Sequence, residues 1–286
     1  MNALLICPWM RPGVPLLAQS GSLSCAPFLG QSLVEYWLSH LACAGAREVL
    51  ILADDHPEEL GALVGNGERW GLKLEIIEEQ RELSAAQALL KYEKRLDPGA
   101  VHNGIAVLDH FPGLPESPIF NSYNDWFAAL KRCLPLAKTP DRVGVQERSA
   151  GIQVGLHCHI SSQAQLRAPC WIGKHVFIGA RAVVGPDAII EDGVFLEAGS
   201  SVTNGVIGKD TFVGQFAEIA GSFASGDTLV HLQSGSTTKV PDRFLLCALR
   251  QNRAAQKAGM LARLGELCSK TEGHLLWKHL LLNKES

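Results

Sequence analysis

The eight cysteines of this 286-residue chain include no CxxC pair and no regular spacing. Neither a disulfide scaffold nor a zinc ribbon is expected, and the cysteines read as small core residues in a reducing cytoplasm. An excess of charge is missing too. The chain holds 26 Lys and Arg against 29 Asp and Glu, a net charge of −3, so there is no basic field to neutralise a phosphate backbone and nucleic acid is excluded as the main partner. Polar residues interrupt every apolar stretch before it could span a bilayer. The N-terminus, MNALLICPWM, has no basic n-region and reads as a first strand rather than a signal peptide. What is present, 47% hydrophobic residues and 28 glycines, describes a soluble globular protein.

Composition changes along the chain. Residues 1–72 contain no lysine and only Arg11, Arg47 and Arg69 against seven acids, whereas residues 241–286 carry eight basic and four acidic side chains. Thirteen of the glycines fall within residues 151–240. The first region alternates short apolar runs with amphipathic segments, the pattern of an α/β layer structure. Ala3–Ile6, Glu48–Leu52, Leu72–Ile76 and Ile105–Leu108 are predicted strands. Helices are predicted at Ser32–Ala44 with Gly45 as its stop, at Pro57–Val64 and at Ser84–Arg95 with Ser84 as N-cap. Residues 114–140 read as a proline-punctuated connector around one helix, Asn121–Leu134.

From residue 154 the chain repeats every six residues. Val154, Ile160, Leu166, Ile172, Ile178, Val184, Ile190, Leu196 and Val202 hold the period, and after a one-residue slip Ile207, Val213 and Ile219 continue it. A small or β-branched residue follows four places after most of these, and glycine follows directly at 155, 173, 179, 185, 208 and 214. This is the pattern of a solenoid whose short strands each turn one aliphatic residue inward, with turns expected to need glycine or small residues. IGKHVF, IGARAV, VGPDAI, IGKDTF and VGQFAE resemble the hexapeptide-repeat family over residues 152–224. That resemblance implies a left-handed parallel β-helix of triangular section, about four coils of eighteen residues. On that geometry His157 and His175 stack at a turn. His159, Phe177, Phe195 and Phe212 form one outward stripe, Trp171 and Ile189 mark a second face, and Gln165, Val183, Ser201 and Glu218 make the third more polar. Exposed aromatic stripes mark an interface, here either with the N-terminal domain or C-terminal helix of the same chain or between subunits. His231–Val240 reads as a last, irregular coil.

The N-terminal region resembles the sugar-1-phosphate nucleotidyltransferases. Gly30-Gln-Ser-Leu-Val-Glu-Tyr-Trp-Leu38 with Ala44-Gly-Ala-Arg-Glu-Val-Leu-Ile51 looks like the family's GKPLIEYWL and AGV.EIVI segments. Glu79-Gln-Arg-Glu-Leu-Ser-Ala-Ala-Gln-Ala-Leu89 is similar to the segment that contacts the nucleobase, which implies Gln80 and Ser84 as nucleotide-binding residues. The family holds Mg²⁺ on an aspartate at a strand end, a place that Asp109 could occupy. Where the family has a glycine-rich phosphate loop followed by a lysine, this chain reads Pro8-Trp-Met-Arg-Pro-Gly-Val-Pro15, with three prolines, one glycine and no lysine before Lys73. Proline offers no N–H donor. Position 31, the motif lysine of the family, is Gln31, and Leu108 replaces the usual glycine before the aspartate. Within 45 residues of Asp109 the chain reaches the first coil, so the resemblance does not extend to the sugar-binding half of the family.

The expected fold is therefore a partial nucleotidyltransferase-like, Rossmann-type α/β domain (1–118), a connector (119–150), a left-handed β-helix (151–240) and a C-terminal helical segment (241–286). The expected function is that of a degenerate nucleotidyltransferase-like protein of nucleotide-sugar or surface-polysaccharide metabolism, acting by binding or assembly. It is expected to be a cytoplasmic homo-oligomer with a sugar-nucleotide or sugar-phosphate ligand and no membrane span. Two enzyme readings compete: an active nucleotidyltransferase with an atypical site that uses Mg²⁺, and a hexapeptide acyltransferase taking acyl-CoA, with His157 or His175 as general base. A zinc site from His157, Cys158, His159 and Cys170 is disfavoured, because the cysteines point inward and the histidines outward.

Overall fold

The computed structural model describes residues 1–18, 21–53, 57–96, 105–112, 120–137 and 142–249. Residues 1–247 form one compact unit. Its first part contains β1 (Asn2–Ile6), α1 (Leu33–Cys43), β2 (Glu48–Ala53), α2 (Pro57–Val64), β3 (Lys73–Glu78), α3 (Ala85–Leu96), β4 (Ile105–Leu108) and α4 (Tyr123–Cys133). The four predicted strands are present, each within about two residues of its expected bounds, and the helices likewise. Helix α1 starts at a reciprocal cap in which Ser32 Oγ accepts from Glu35 N–H and Glu35 accepts from Ser32 N–H. It stops at Gly45, whose φ of +83° is left-handed.

The sheet is wholly parallel in the order β3-β2-β1-β4. Parallel strands covered on both faces must be apolar on both. Accordingly Ala3, Leu5, Val49 and Ile51 pack in one cluster with Leu33, Trp37, Leu38 and Leu41 of α1 and Leu60 of α2. Leu4, Ile6, Leu50 and Leu52 pack in another with Ala88, Tyr92 and Leu96 of α3. The strand order turns back between β1 and β4, and a crevice for ligands opens at such a point beyond the carboxyl ends of the strands.

The second part is a left-handed β-helix. One row of parallel strands stacks His159–Ile160, Phe177–Ile178, Phe195–Leu196 and Thr211–Val213, and a second stacks Gln165–Leu166, Val183–Val184, Ser201–Thr203 and Glu218–Ala220. The third runs from β6 (Ile152–Gly155) through Cys170–Ile172, Ala188–Ile190 and Gly205–Ile207 to Ser222–Ser225. Equivalent residues lie eighteen apart until the predicted slip, as in Phe177↔Phe195, and seventeen apart beyond it, as in Ala188↔Gly205. Ile172, Ile178, Val184, Ile190, Leu196, Val202, Ile207 and Val213 point inward and are fully buried. Most left-handed corners are not glycine, contrary to expectation: His157, His175, Arg181, Asp187, Asn204, Asp210 and Phe216 all take positive φ. The glycines after the inward residues serve a different purpose. A Cβ on Gly179 would lie 2.6 Å from the backbone nitrogen of Ala198 in the next coil.

Two further expectations change, and for one face of the solenoid the expected cover by the N-terminal domain is present. His231–Val240 is not another coil, because the two-residue turn Gly226-Asp227 reverses the chain into an antiparallel hairpin, Thr228–His231 on Ser222–Ser225, and Thr237–Lys239 adds beside it. β5 (Val145–Ser149) pairs antiparallel with β6 at the other end of the same sheet, so antiparallel strands close both edges of that row. The Trp171 face is not open: Trp171, Ile189, Val206 and Phe223 are buried in the core of the α/β region. Trp126 of α4 meets the Phe223 ring edge-on at 4.9 Å, and Gly30 lies so close to Trp171 that a Cβ there would come within 3.0 Å of the indole.

The His159, Phe177, Phe195 and Phe212 stripe stands apart from that contact. Its rings stack at 5.1, 4.2 and 5.8 Å, with the phenylalanines half-buried and His159 exposed. Leu246–Ala248 joins the end of that row as a strand. The helical segment expected over 241–286 otherwise lies outside the described residues. Among the described residues no helix is long and apolar enough to cross a membrane.

Candidate functional site

The crevice at the carboxyl ends of the strands is built from the segments after β1, β3 and β4. Cys7 continues the ladder of β1, its N–H donating to Leu52 O at 2.9 Å, and the proline-rich stretch Pro8–Pro15 follows. Arg11 is the only cation of that stretch. Its guanidinium is held by Glu82, from the segment between β3 and α3, through two parallel bonds of 2.6 and 2.7 Å. The backbone N–H of Trp9 donates to the same carboxylate at 3.1 Å. A bidentate guanidinium and an amide N–H are the donors an oxyanion would require, and here an internal carboxylate takes both.

Beside it lies an open groove of about 720 Å³, whose lining includes Glu79, Gln80, Arg81, Gln87, Leu90 and Lys91. Glu79 is buried at its floor. Both its oxygens accept from Lys91 Nζ at 2.8 Å, and Tyr92 donates its hydroxyl to it. Burial alone would raise the Glu79 carboxyl, but the bonds from Lys91 and Tyr92 outweigh it and hold the group below its ordinary value. Burial first, and the bond to Glu79 second, push the Tyr92 hydroxyl up. The groove floor is thus a charged group already satisfied from within the chain.

The expected nucleotide residues divide. Gln80 is exposed and lines the groove. Ser84 starts α3, where its Oγ accepts from Gln87 N–H at 3.3 Å and its N–H donates to Gln87 Oε1 at 3.1 Å. Its hydroxyl is engaged as a helix cap. Asp109 sits directly after β4 with its carboxylate 2.8 Å from Nδ1 of His110. Among the described residues no three side chains of the metal-binding types gather together. A single carboxylate already facing an imidazole does not make up a Mg²⁺ centre.

On the solenoid, His157 and His175 stack as expected, with ring centroids 5.1 Å apart and planes 11° from parallel, both exposed at a corner. Among the described residues no carboxylate hydrogen-bonds either ring, so neither has the orienting partner of a catalytic dyad. Cys158 Sγ donates inward to Gly173 O at 2.9 Å, and burial pushes the Cys170 thiol up to about 12. Neither is poised as a thiolate ligand.

Sequence reasoning missed Glu82 and the Glu79, Lys91 and Tyr92 group. The first pairing joins residues 71 apart, and no local pattern marks it. The second had a partial signal, since Lys91 and Tyr92 lie seven and eight residues after the predicted N-cap and so on adjoining faces of one helix.

Comparison with known proteins agrees with this architecture. Residues 17–112 match the nucleotidyl transferase family model, and residues 169–204 match that of the hexapeptide repeat of succinyl-transferase. No curated protein matches the chain significantly. The first match covers α1 to β4 and begins beyond the Pro8–Pro15 stretch, and the second covers two full coils. The parallel α/β sheet is thus similar over residues 17–112 to nucleotidyl transferases, and the left-handed β-helix that continues it is similar over residues 169–204 to hexapeptide-repeat proteins.

Proposed function

We propose that this protein works in nucleotide-sugar or surface-polysaccharide metabolism in the cytoplasm by binding or assembly, without ordinary sugar-1-phosphate nucleotidyl transfer. The observation that carries this reading is the occupation of Trp9 N–H and Arg11 by Glu82. Phosphoryl and nucleotidyl transfer depend on fixed donors that stabilise charge on the moving phosphate. A carboxylate bound to those donors repels a phosphate from them. The groove beside Gln80 remains open and offers a place for a sugar-nucleotide or sugar-phosphate ligand to bind. The half-buried Phe177, Phe195 and Phe212 ladder supports a homo-oligomer in which a second copy covers that face.

A nucleotidyl-transfer assay with several sugar-1-phosphates, nucleoside triphosphates and Mg²⁺ tests the proposal, and no pyrophosphate above the blank is expected. Robust release would overturn it and establish an active transferase with an atypical site. The exposed His157 and His175 stack favours a second reading, an acyltransferase that takes acyl-CoA with one imidazole as base. Thermal shift with acetyl-CoA and longer acyl-CoA esters separates the two, since a specific ligand raises the melting temperature by mass action. The leading reading expects no shift with any CoA ester.

A further inference from the structure

One peptide group, in the loop before α1, joins the α/β region to the solenoid. Its residues Leu29 and Gly30 both lie in the left-handed region, with φ of +54° and +77°. Phe28 N–H donates across them to Gln31 O at 2.7 Å and closes a tight turn. Glycine takes such a backbone freely, whereas a fully buried leucine does so only where its surroundings impose it. The imposing contacts come from two sides. The Leu29 carbonyl accepts from Nε of Arg142 at 2.9 Å. The N–H of Gly30, the other polar end of the same peptide group, donates to Oε2 of Glu191 at 3.3 Å. Arg142 belongs to the connector and Glu191 to the third row of the solenoid, so the turn is clasped between them.

The solenoid side of this clasp is a group that can change its charge. Glu191 is only 4% exposed, and its backbone is fixed in the ladder, with its N–H donating to Ile207 O at 3.0 Å. Its second carboxyl oxygen, Oε1, is buried and has no hydrogen-bond partner. Burial costs such a carboxyl little while it is neutral and much more once it is ionised. Charged groups reach it from several elements. Asp192 on the same coil disfavours the ionised form, while Arg142 on the connector and Lys209 on the next coil favour it. Glu35, tied to Arg69, together with Glu59 and the Cys25 thiol, lines the cavity beside it from the α/β side. Burial, the largest effect, and Asp192 prevail over the Gly30 N–H and the two cations, and raise the carboxyl from 4.5 to about 7.

We infer that the Leu29–Gly30 peptide, held between Arg142 and Glu191, is a proton-operated catch between the α/β region and the solenoid, closed while Glu191 is protonated and released as the carboxylate forms. The proton passes to bulk water, and the carboxylate left behind is hydrated once the turn lifts from it. In the released turn the carboxyl ionises at its ordinary 4.5, so the closed form keeps its proton over a range in which the released form has lost it. The catch is strongest below pH 4.5 and weakens as pH rises through 7. Between pH 6 and pH 8 the ratio of released to closed molecules grows about tenfold. Release uncovers Trp171, on which Gly30 rests, and frees the segment leading to the Ser32 cap of α1. Solution pH near neutrality thereby sets how firmly the two parts are coupled. The inference is independent of the nucleotide-sugar reading, because it uses neither the groove at Gln80 nor the Arg11 loop.

The test is hydrogen exchange of the full chain, read by mass spectrometry at pH 6, 7 and 8 and corrected for the intrinsic rate at each pH. Protection of residues 28–33 should fall about tenfold from pH 6 to pH 8. It should also stay at least about tenfold below that of the solenoid strands Phe177–Ile178 and Val183–Val184, because the turn opens by itself. Glu191→Gln, checked for folding by circular dichroism, should give the same protection at all three pH values. Lys209→Gln removes an exposed cation that favours the ionised form, and should make the fall steeper than in the parent, which damage to the fold would not do. The proposal is overturned by a parent segment indifferent to pH, or by a Glu191→Gln variant that falls as the parent does. It is equally overturned by a segment that exchanges no faster than the solenoid strands, or by a fall in Lys209→Gln no steeper than the parent's.

Discussion

Replacing Glu191 with glutamine should make the protein's stability far less sensitive to pH. Burial raises this carboxyl from its ordinary value of 4.5 to about 7; Asp192 adds to the rise, and the Gly30 N–H, Arg142 and Lys209 oppose it. The folded form therefore holds its proton over a range in which the unfolded chain has lost it. Stability from this group is fully present below pH 4.5 and is lost as pH rises towards and through 7. At 1.36 kcal/mol per unit, a displacement of this size amounts to about 3 kcal/mol between pH 4 and pH 8. For a domain of this length that is roughly 6–12 °C in melting temperature. Melting of the parent and Glu191→Gln in parallel, from pH 5 to pH 9, gives a direct reading. The parent should fall relative to the variant as pH rises, with most of the change complete by pH 8. A constant difference between the two curves would show that Glu191 ionises as it does in the unfolded chain, and would refute the reasoning.

Trp171→Ala should destabilise by about 3–5 kcal/mol, the usual cost of deleting a large buried aromatic, with near-ultraviolet circular dichroism reporting the loss of tertiary packing. Glu82→Ala removes an exposed ion pair and should cost no more than about 1 kcal/mol. It should also release Arg11 and the Trp9 N–H, giving pyrophosphate binding by calorimetry that the parent and the Arg11→Ala/Glu82→Ala variant lack. Phe195→Ser in the middle of the exposed ladder should lower the sedimentation coefficient while leaving far-ultraviolet circular dichroism unchanged. A sedimentation coefficient equal to the parent's would show that this face is not a subunit contact.

The period of six made the solenoid legible down to the coil at which one residue is dropped, because an inward aliphatic position recurs in every strand and cannot be moved without exposing the core. The α/β strands were legible for a similar reason, since a parallel strand covered on both faces reads as a continuous apolar run. Which faces of the solenoid are covered was less legible. Trp171 and Phe177 occupy equivalent outward positions in neighbouring rows, and only the path of the Gly30 loop and α4 over one face decides that the first is buried and the second half-buried. The hairpin after Ser225 had a local signal, the Gly226-Asp227 pair, which the six-residue rhythm concealed. In the candidate sites, Gln80 and Asp109 could be placed because they closely follow the carboxyl ends of two strands, a local property. Glu82 on Arg11 and Glu191 beneath Gly30 join residues 71 and 161 apart, and no spacing rule links them.

The row of Trp171, Ile189, Val206 and Phe223 also limits how this protein can be taken apart. These side chains share one continuous core with Leu5, Trp37 and Trp126, so the boundary that composition draws near residue 150 is not a line along which the molecule separates. A chimaera that transplanted the solenoid under a different head would have to bring α4 and the Gly30 loop with it, or supply an equivalent apolar cover. Each successive coil sends one of these side chains into the shared core, so the coils cannot be exchanged without regard to the head that covers them.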